Sequence, residues 1–279
     1  MPVSKNAVLQ HPSAVPSILR AAPLLLLLCG CSGHDAAQAK STQAAAPESA
    51  DGKRASAPTV RDGQSGAVTL EWEECSPEAA SAFERLSAGQ AGEGGSAQAS
   101  KDLLLLTKAC ETGDWAVCNG LGVVYGEGHG VERDLAKGIG YFRRACDNGL
   151  AMGCLNLAAL HDSGTGMRKD PSEAARFFEK ACGLGNAIAC ENLAVVYSSG
   201  HGVPKDFGKA ATFYEKACDG GWAPGCTNLA GLYLIGTGVA KDPDKAKTYY
   251  EKACEMGSKN ACEVIKRELS GAQGPKRTQ

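Results

Sequence analysis

The sequence predicts an all-α fold: an α/α solenoid of helix-turn-helix repeats with a 36-residue period, stapled by disulfides. Cysteines carry the first observation. Cys110/Cys118, Cys146/Cys154, Cys182/Cys190, Cys218/Cys226 and Cys254/Cys262 each enclose seven residues, and each pair begins 36 residues after the last. The second is a set of glycine pairs in the same register, Gly128/Gly130, Gly164/Gly166, Gly200/Gly202 and Gly236/Gly238. The third is an apolar stripe at helical spacing, again in register: Tyr141/Phe142/Ala145, Phe177/Phe178/Ala181, Phe213/Tyr214/Ala217 and Tyr249/Tyr250/Ala253. Units of this kind bury their apolar faces only against their neighbours, which favours binding over catalysis.

Residues 1–30 read as an export signal. After Lys5 and Arg20 comes an apolar run from Ala21 to Leu28, too short for a membrane-spanning helix. Leu28-Cys29-Gly30-Cys31 resembles a bacterial lipobox, which implies lipidation of Cys31 as the first mature residue; an ordinary secretory signal cut nearby is the alternative. Residues 31–70 are dominated by Ala, Ser, Gly, Gln and Pro, too poor in large apolar groups to offset the entropy of ordering, and read as a flexible tether. Residues 71–100 form an N-terminal cap region. Glu71-Trp72-Glu73-Glu74-Cys75 opens it, Pro77 to Leu86 has the spacing of a short helix with Ser76 as N-cap, and a glycine-rich gap runs from Ala88 to Ser100. Residues 101–270 hold the repeats, and 271–279 read as a disordered tail.

Four complete units can be written out, Asp114 to Gly149, Leu150 to Gly185, Asn186 to Gly221 and Trp222 to Gly257, with a half unit on either side. The first helix carries Leu121, Leu157, Leu193 or Leu229, and four residues later Tyr125, His161, Tyr197 or Tyr233. The glycine pair then turns the chain. Asp134, Asp170, Asp206 and Asp242 stand at the N-cap of the second helix; proline follows in Asp170-Pro171 and Asp242-Pro243, and Glu173 completes a capping-box pattern. Gly149, Gly185, Gly221 and Gly257 stop the second helix.

Segments such as NLAVVYSSGHGVPKDFGKAATFYEKACDGG resemble Sel1-like repeats, relatives of the tetratricopeptide repeat, over roughly residues 101 to 270. The paired cysteines resemble the cysteine-rich Hcp subfamily. By that resemblance each pair joins the second helix of one unit to the first helix of the next. The spacing supports it, because a glycine stop and a new helix start lie between the two sulfurs and a hairpin brings them close. A zinc site would need ligand pairs from different units to converge, and C-x7-C is not a usual knuckle spacing. No metal or cofactor is expected.

Ten regularly paired cysteines persist as disulfides only where thiols are not kept reduced. Localisation is therefore expected in the cell envelope, lipid-anchored or secreted; Ser32 after the lipidated cysteine resembles outer-membrane sorting. Membrane contact is expected through the lipid anchor only. Losing Lys5 and Arg20 with the signal shifts the formal charge from −2 to −4, and no basic patch with interleaved aromatics occurs, so nucleic acid is excluded as a partner. Cys75 has no evident partner.

On the first helix, positions 116, 119, 120, 123 and 127 cluster opposite Cys118, Leu121 and Tyr125. Position 119 varies along the array (Asn119, Leu155, Glu191, Thr227), whereas position 120 is Gly120, Asn156, Asn192 and Asn228. By resemblance to tetratricopeptide repeats, the asparagines face an inner groove and contact peptide backbone, to which an amide offers both a donor and an acceptor. The alternative is that they hydrogen-bond neighbouring helices. Glu191 and Glu127 would add selectivity for basic groups.

Two functional classes follow. One is a tethered adaptor holding a protein, an extended peptide or a cell-wall polymer on its concave face. The other, implied by the Hcp resemblance, is a β-lactam-binding protein with weak β-lactamase activity. Against the second, no serine is followed three residues later by lysine, no Lys-Thr-Gly or Ser-Asp-Asn occurs, and His129, His161 and His201 lack metallo-lactamase spacing. No catalytic residue is assigned.

Overall fold

The computed structural model of the 279-residue chain describes residues 60–62, 68–70, 76–87 and 95–269. The expected signal at 1–30, Cys31, Cys75 and the tail at 271–279 lie outside the described residues. Of the expected tether at 31–70, the described part is one antiparallel pair, β1 (Val60–Asp62) against β2 (Val68–Leu70), with Val60 opposite Leu70. Everything described after it is helical.

Helix α1 (Pro77–Ser87) starts on Ser76, whose Oγ accepts from the Ala79 N–H at 3.3 Å. Its Ala79, Ala82, Phe83 and Leu86 are buried. Helix α2 (Gly95–Glu111) begins inside the stretch expected to be a glycine-rich gap. The reason is a polar cluster: Asp102, 3% exposed, accepts from Gln98 one turn earlier at 2.9 Å and from both ends of the Arg85 guanidinium at 2.6 and 2.9 Å. That cluster ties α1 to α2 and gives the added turn of α2 a partner. The hydrogen bonds from Arg85 hold the Asp102 carboxyl below the usual carboxylate range, against the opposing effect of burial.

The four units then follow as α3 (Trp115–Glu127) with α4 (Leu135–Asp147), α5 (Ala151–Ser163) with α6 (Pro171–Gly183), α7 (Ala187–Ser199) with α8 (Phe207–Asp219), and α9 (Ala223–Ile235) with α10 (Pro243–Glu255). A short α11 (Lys259–Val264) and a π-turn (Ile265–Leu269) close the array. Within a unit the two helices pack along their length, and each second helix also packs on the first helix of the next unit. Asp134, Asp170, Asp206 and Asp242 cap the second helices, accepting from the N–H of Lys137, Ser172 and Glu173, Lys209 and Lys245. The capping-box expectation for Glu173 meets a different outcome, because its carboxylate pairs with Arg176 at 2.7 Å, one turn along the helix.

The core repeats with the sequence. Leu121, Leu157, Leu193 and Leu229 are at most 1% exposed, and they share the interior with Phe142, Phe178, Tyr214 and Tyr250 and the alanines Ala145, Ala181, Ala217 and Ala253. The neighbouring ring of each aromatic doublet turns outward and stacks on the first helix: Tyr125 on Tyr141, His161 on Phe177, Tyr197 on Phe213 and Tyr233 on Tyr249, with centroids 5.3 to 5.8 Å apart. Lys137, Lys209 and Lys245 sit over the tyrosines of their units at 3.9, 5.0 and 5.3 Å. Where His161 replaces the tyrosine, Glu173 replaces the lysine.

How closely units approach is set at the second glycine of each pair. At Gly202, with φ of +78°, a Cβ would lie 2.5 Å from the carbonyl carbon of Pro171, so the turn of one unit seats on the first turn of the preceding unit's second helix.

All five cysteine pairs are disulfide-bonded, Cys110 to Cys118, Cys146 to Cys154, Cys182 to Cys190, Cys218 to Cys226 and Cys254 to Cys262, with Cα atoms 4.5 to 4.9 Å apart. The Sγ atoms of Cys118, Cys154 and Cys190 also lie 3.5, 3.6 and 3.7 Å from the carbonyl oxygens of Cys110, Cys146 and Cys182. An oxidised sulfur has no hydrogen to donate, so these are packing contacts imposed by the tight turn. The first four bridges are at most 6% exposed, whereas Cys254 and Cys262 are half-buried. In the chain-entropy account a loop of this size contributes about 2–3 kcal/mol per bridge. Five together rival the whole stability of an ordinary domain, roughly 5–15 kcal/mol. Full reduction should therefore abolish the cooperative helical melt seen by circular dichroism. Under mild reductant, alkylation read by peptide mass spectrometry should label Cys254 and Cys262 first; uniform labelling would contradict the burial order.

The Arg85–Asp102 pair carries a pH signature. Because the folded-state pKa of Asp102 is depressed, its stabilisation is present above the unfolded value near 4 and drains away as pH falls through the lower folded value. Asp102→Asn should cost about 1–2 kcal/mol at neutral pH, given the part-exposed arginine, and should flatten this acid limb in melts taken between pH 2 and 5.

Candidate functional site

The face opposite Leu121 and Tyr125 on the first helices is where a ligand was expected. The structure divides it. In the first two units it is closed: Asn119 is 1% and Asn156 3% exposed, and the Asn156 Nδ2 donates to the Asn119 Oδ1 at 2.8 Å. Their amides engage each other, joining α3 to α5 through the wall of the array. As ligand contacts, then, Asn119 and Asn156 are corrected to the neighbouring-helix alternative, and burial is the physical reason.

One step further along, the rule is broken. By the same offset of 37 residues the counterpart of Asn192 is Leu155, buried and with a side chain unable to accept a hydrogen bond, and Asn192 is half-buried with no side-chain hydrogen bond to another described residue. The next step restores the pattern, with the Asn228 Nδ2 donating to the Glu191 Oε1 at 3.3 Å. Thr227 bonds back to the Ala223 carbonyl at 3.1 Å and meets Ser258 of the terminal half unit at 3.3 Å. The pairing therefore runs from position 119 of one unit to position 120 of the next, a separation of 37 residues. Glu191, Asn192, Thr227 and Asn228 are all half-buried, so the accessible part of the face belongs to the third and fourth units.

The cysteines singled out in the sequence hold the helices and offer nothing to a ligand. Cys118, Cys154 and Cys190, near the starts of α3, α5 and α7, are 0%, 0% and 3% exposed, and Cys226 near the start of α9 is 0% exposed. Each points to the core side with its sulfur already bonded, which rules these residues out of the accessible face and leaves them a purely structural role.

Beneath the accessible face lies Tyr214, 4% exposed, whose phenol reaches Ser198 and is pushed up to about 12 by burial. It stays protonated at physiological pH, the Ser198 hydrogen bond only partly opposing the effect of burial. At the ends of the first helices, the His129 Nε2 meets the Glu127 Oε2 at 2.5 Å and the His201 Nε2 meets the Asp162 Oδ1 at 3.2 Å, the second pair crossing between units. Elsewhere, an open cleft of about 610 Å³ lies between α4 and α6. Its charges are largely paired, Lys180 with Asp147 and Arg176 with Glu173. Among the described residues no group of three or more His, Cys, Asp or Glu side chains is arranged to hold a metal.

The family model described as Sel1 repeat matches residues 115–150, 151–186, 187–222 and 223–258, one match per complete unit. The chain belongs to the Sel1 repeat family. Such repeats generally mediate protein–protein interaction, and the extensive disulfides fit a location outside the cytoplasm. Among solved structures, a Sel1 repeat protein from Oxalobacter formigenes is 24% identical, with a TM-score of 0.57, over 69% of this chain and 82% of that one. A protective antigen of uropathogenic Escherichia coli displaying an SLR fold is 28% identical with a TM-score of 0.60, over 71% of this chain and 43% of that one. Helicobacter pylori cysteine rich protein B is 34% identical over 47% of this chain and 95% of that one, with a TM-score of 0.39. The comparison with curated proteins returns no match.

Within this Sel1 solenoid the two kinds of asparagine should separate by stability. Asn156→Ala strands a buried acceptor on Asn119 and is expected to cost about 1–3 kcal/mol. Asn192→Ala breaks no bond and should stay within about 0.5 kcal/mol of the parent. Urea melts of the oxidised protein decide; equal losses would contradict the division.

Proposed function

We propose that this chain is an envelope-anchored adaptor that holds an extended peptide or a partner protein along the first-helix face of its third and fourth units, with Cys31 carrying the lipid. One observation supports the reading above the rest: the Asn192 carboxamide is unengaged among the described residues, on a surface where Asn119, Asn156 and Asn228 have partners within the solenoid. A half-buried amide with a free donor and acceptor satisfies one peptide unit of an extended backbone without regard to side chain. Glu191, Thr227 and Asn228 border it. Asn119 and Asn156 serve the same face by fixing the spacing of its helices. A cell-wall polymer, rich in amides and hydroxyls, offers similar groups, and the adaptor reading extends to it.

The lipid and the groove are tested separately. Cys31→Ser should move the protein from the membrane fraction to the soluble fraction and abolish incorporation of labelled palmitate; unchanged fractionation would sink the anchor. For the groove, full-length oxidised protein should retain an envelope protein, and Asn192→Ala should weaken retention about tenfold, a loss typical of an amide left unpaired at an interface. Retention unchanged by Asn192→Ala would remove the groove from the adaptor reading. Steady turnover of a chromogenic β-lactam, abolished by one serine-to-alanine change, would instead favour the hydrolase.

A further inference from the structure

The first-helix face is not uniform along the array. At the position of Gly126, the successive units carry Asp162, Ser198 and Leu234; at the position of Glu127 they carry Ser163, Ser199 and Ile235. The second column runs from carboxylate through hydroxyl to branched apolar, and the first does the same from the second unit onward, after Gly126. Both lie at the C-terminal ends of the first helices, about two turns along the axis from Asn192 and Asn228.

Side-chain placement reinforces the trend. Glu127 and Asp162 are held by His129 and His201, with 14% and 19% of their side chains exposed, so the carboxylates are fixed in direction yet reachable. A third carboxylate, Glu191, is oriented by Asn228 but stands in the first half of α7, away from this row. At the other end Leu234 leans on the core around Cys218 and Cys226, while Ile235 is 39% exposed and stands among the few large apolar side chains left open in the described residues. A solvated helix end has no use for Leu-Ile where its sister units carry Asp-Ser and Ser-Ser. The unfavourable hydration of Ile235 is relieved if an apolar group covers it.

Resting on the adaptor reading, we infer that the occupant is an extended peptide with a defined polarity: a basic side chain against Asp162, and a large apolar side chain against Leu234 and Ile235. Charge complementarity fixes the first contact and the exposed isoleucine the second. Neighbouring helices pack about 8–10 Å apart and an extended chain advances about 3.3 Å per residue, so the two-unit step from Asp162 to Ile235 puts the two anchors roughly five to six residues apart. The hydroxyls of Ser198 and Ser199 fall between them, at the end of the same helix that carries Asn192.

The test uses the full-length oxidised protein and a fluorescent twelve-residue peptide of Ser, Thr and Gly with one Lys and one Leu set six residues apart. The partners in the comparison carry Glu for Lys, Ser for Leu, or the same two anchors at a spacing of two. Wild-type protein should bind the Lys–Leu peptide about fivefold or more tightly than each of the three. Asp162→Asn should reduce the Lys-over-Glu preference about threefold while keeping the Leu-over-Ser preference, and Ile235→Ser should do the reverse. Peptides bound with no preference for Lys or Leu, or equally at both spacings, would overturn the polarity while leaving the adaptor reading in place. No measurable affinity for any of the four peptides, alongside intact retention of a folded envelope partner, would also overturn it, whereas loss of both would remove the adaptor reading as well. Because the peptide changes alone decide the first comparison, the outcome does not depend on how the protein variants fold.

Discussion

Each unit of this solenoid meets the next through a reversal of the chain that a buried disulfide closes. That junction does three things at once. It ends the second helix, starts the first helix of the following unit, and fixes the separation of their axes, so that Leu121, Leu157, Leu193 and Leu229 fall at one depth along the array. A solenoid has no central core to enforce this, since every unit touches only its neighbours. Without the clamp the interface would rest on alanines and small apolar groups, Ala145, Ala181, Ala217 and Ala253 among them, whose burial contributes little each.

A rigid junction has a direct bearing on the surface open to a ligand. Hydrogen bonds between side chains on successive first helices, Asn119 with Asn156 and Glu191 with Asn228, require the helices to hold their register to a few tenths of an ångström. The same register leaves Asn192 opposite Leu155, where no such bond is made. Local clamping thus determines which amides are structural and which remain open, and the proposed binding chemistry rests on departures from the repeat rather than on the repeat itself.

Much of the fold was legible because its causes are local and recur. Periodic cysteines, glycine pairs and N-cap aspartates each act within a few residues, so four copies of one pattern fixed unit boundaries, helix ends and disulfide partners. The early start of α2 was not legible, because it depends on Asp102 meeting Arg85 from another helix. The site was read less well. Helical spacing placed Asn119, Asn156, Asn192 and Asn228 on one face, but burial of the first two depends on what the adjoining helices bring against them. A signal was nonetheless present: asparagines 37 residues apart, one more than the period, are offset by the single position needed to meet side by side. The paired exchange of Tyr for His161 and Lys for Glu173 was likewise in the sequence, yet its meaning needed the stacked rings and the lysines above them.

Every cysteine in the described array finds its mate eight positions away, never across a longer span. Each crosslink consequently needs only its own hairpin to form, whatever the state of the rest of the chain. Mispairing, whose possible combinations grow steeply with the number of free thiols, is held down by proximity. Lengthening such a protein by another unit then adds no new burden to its maturation, which makes the number of units an easy quantity for evolution to change.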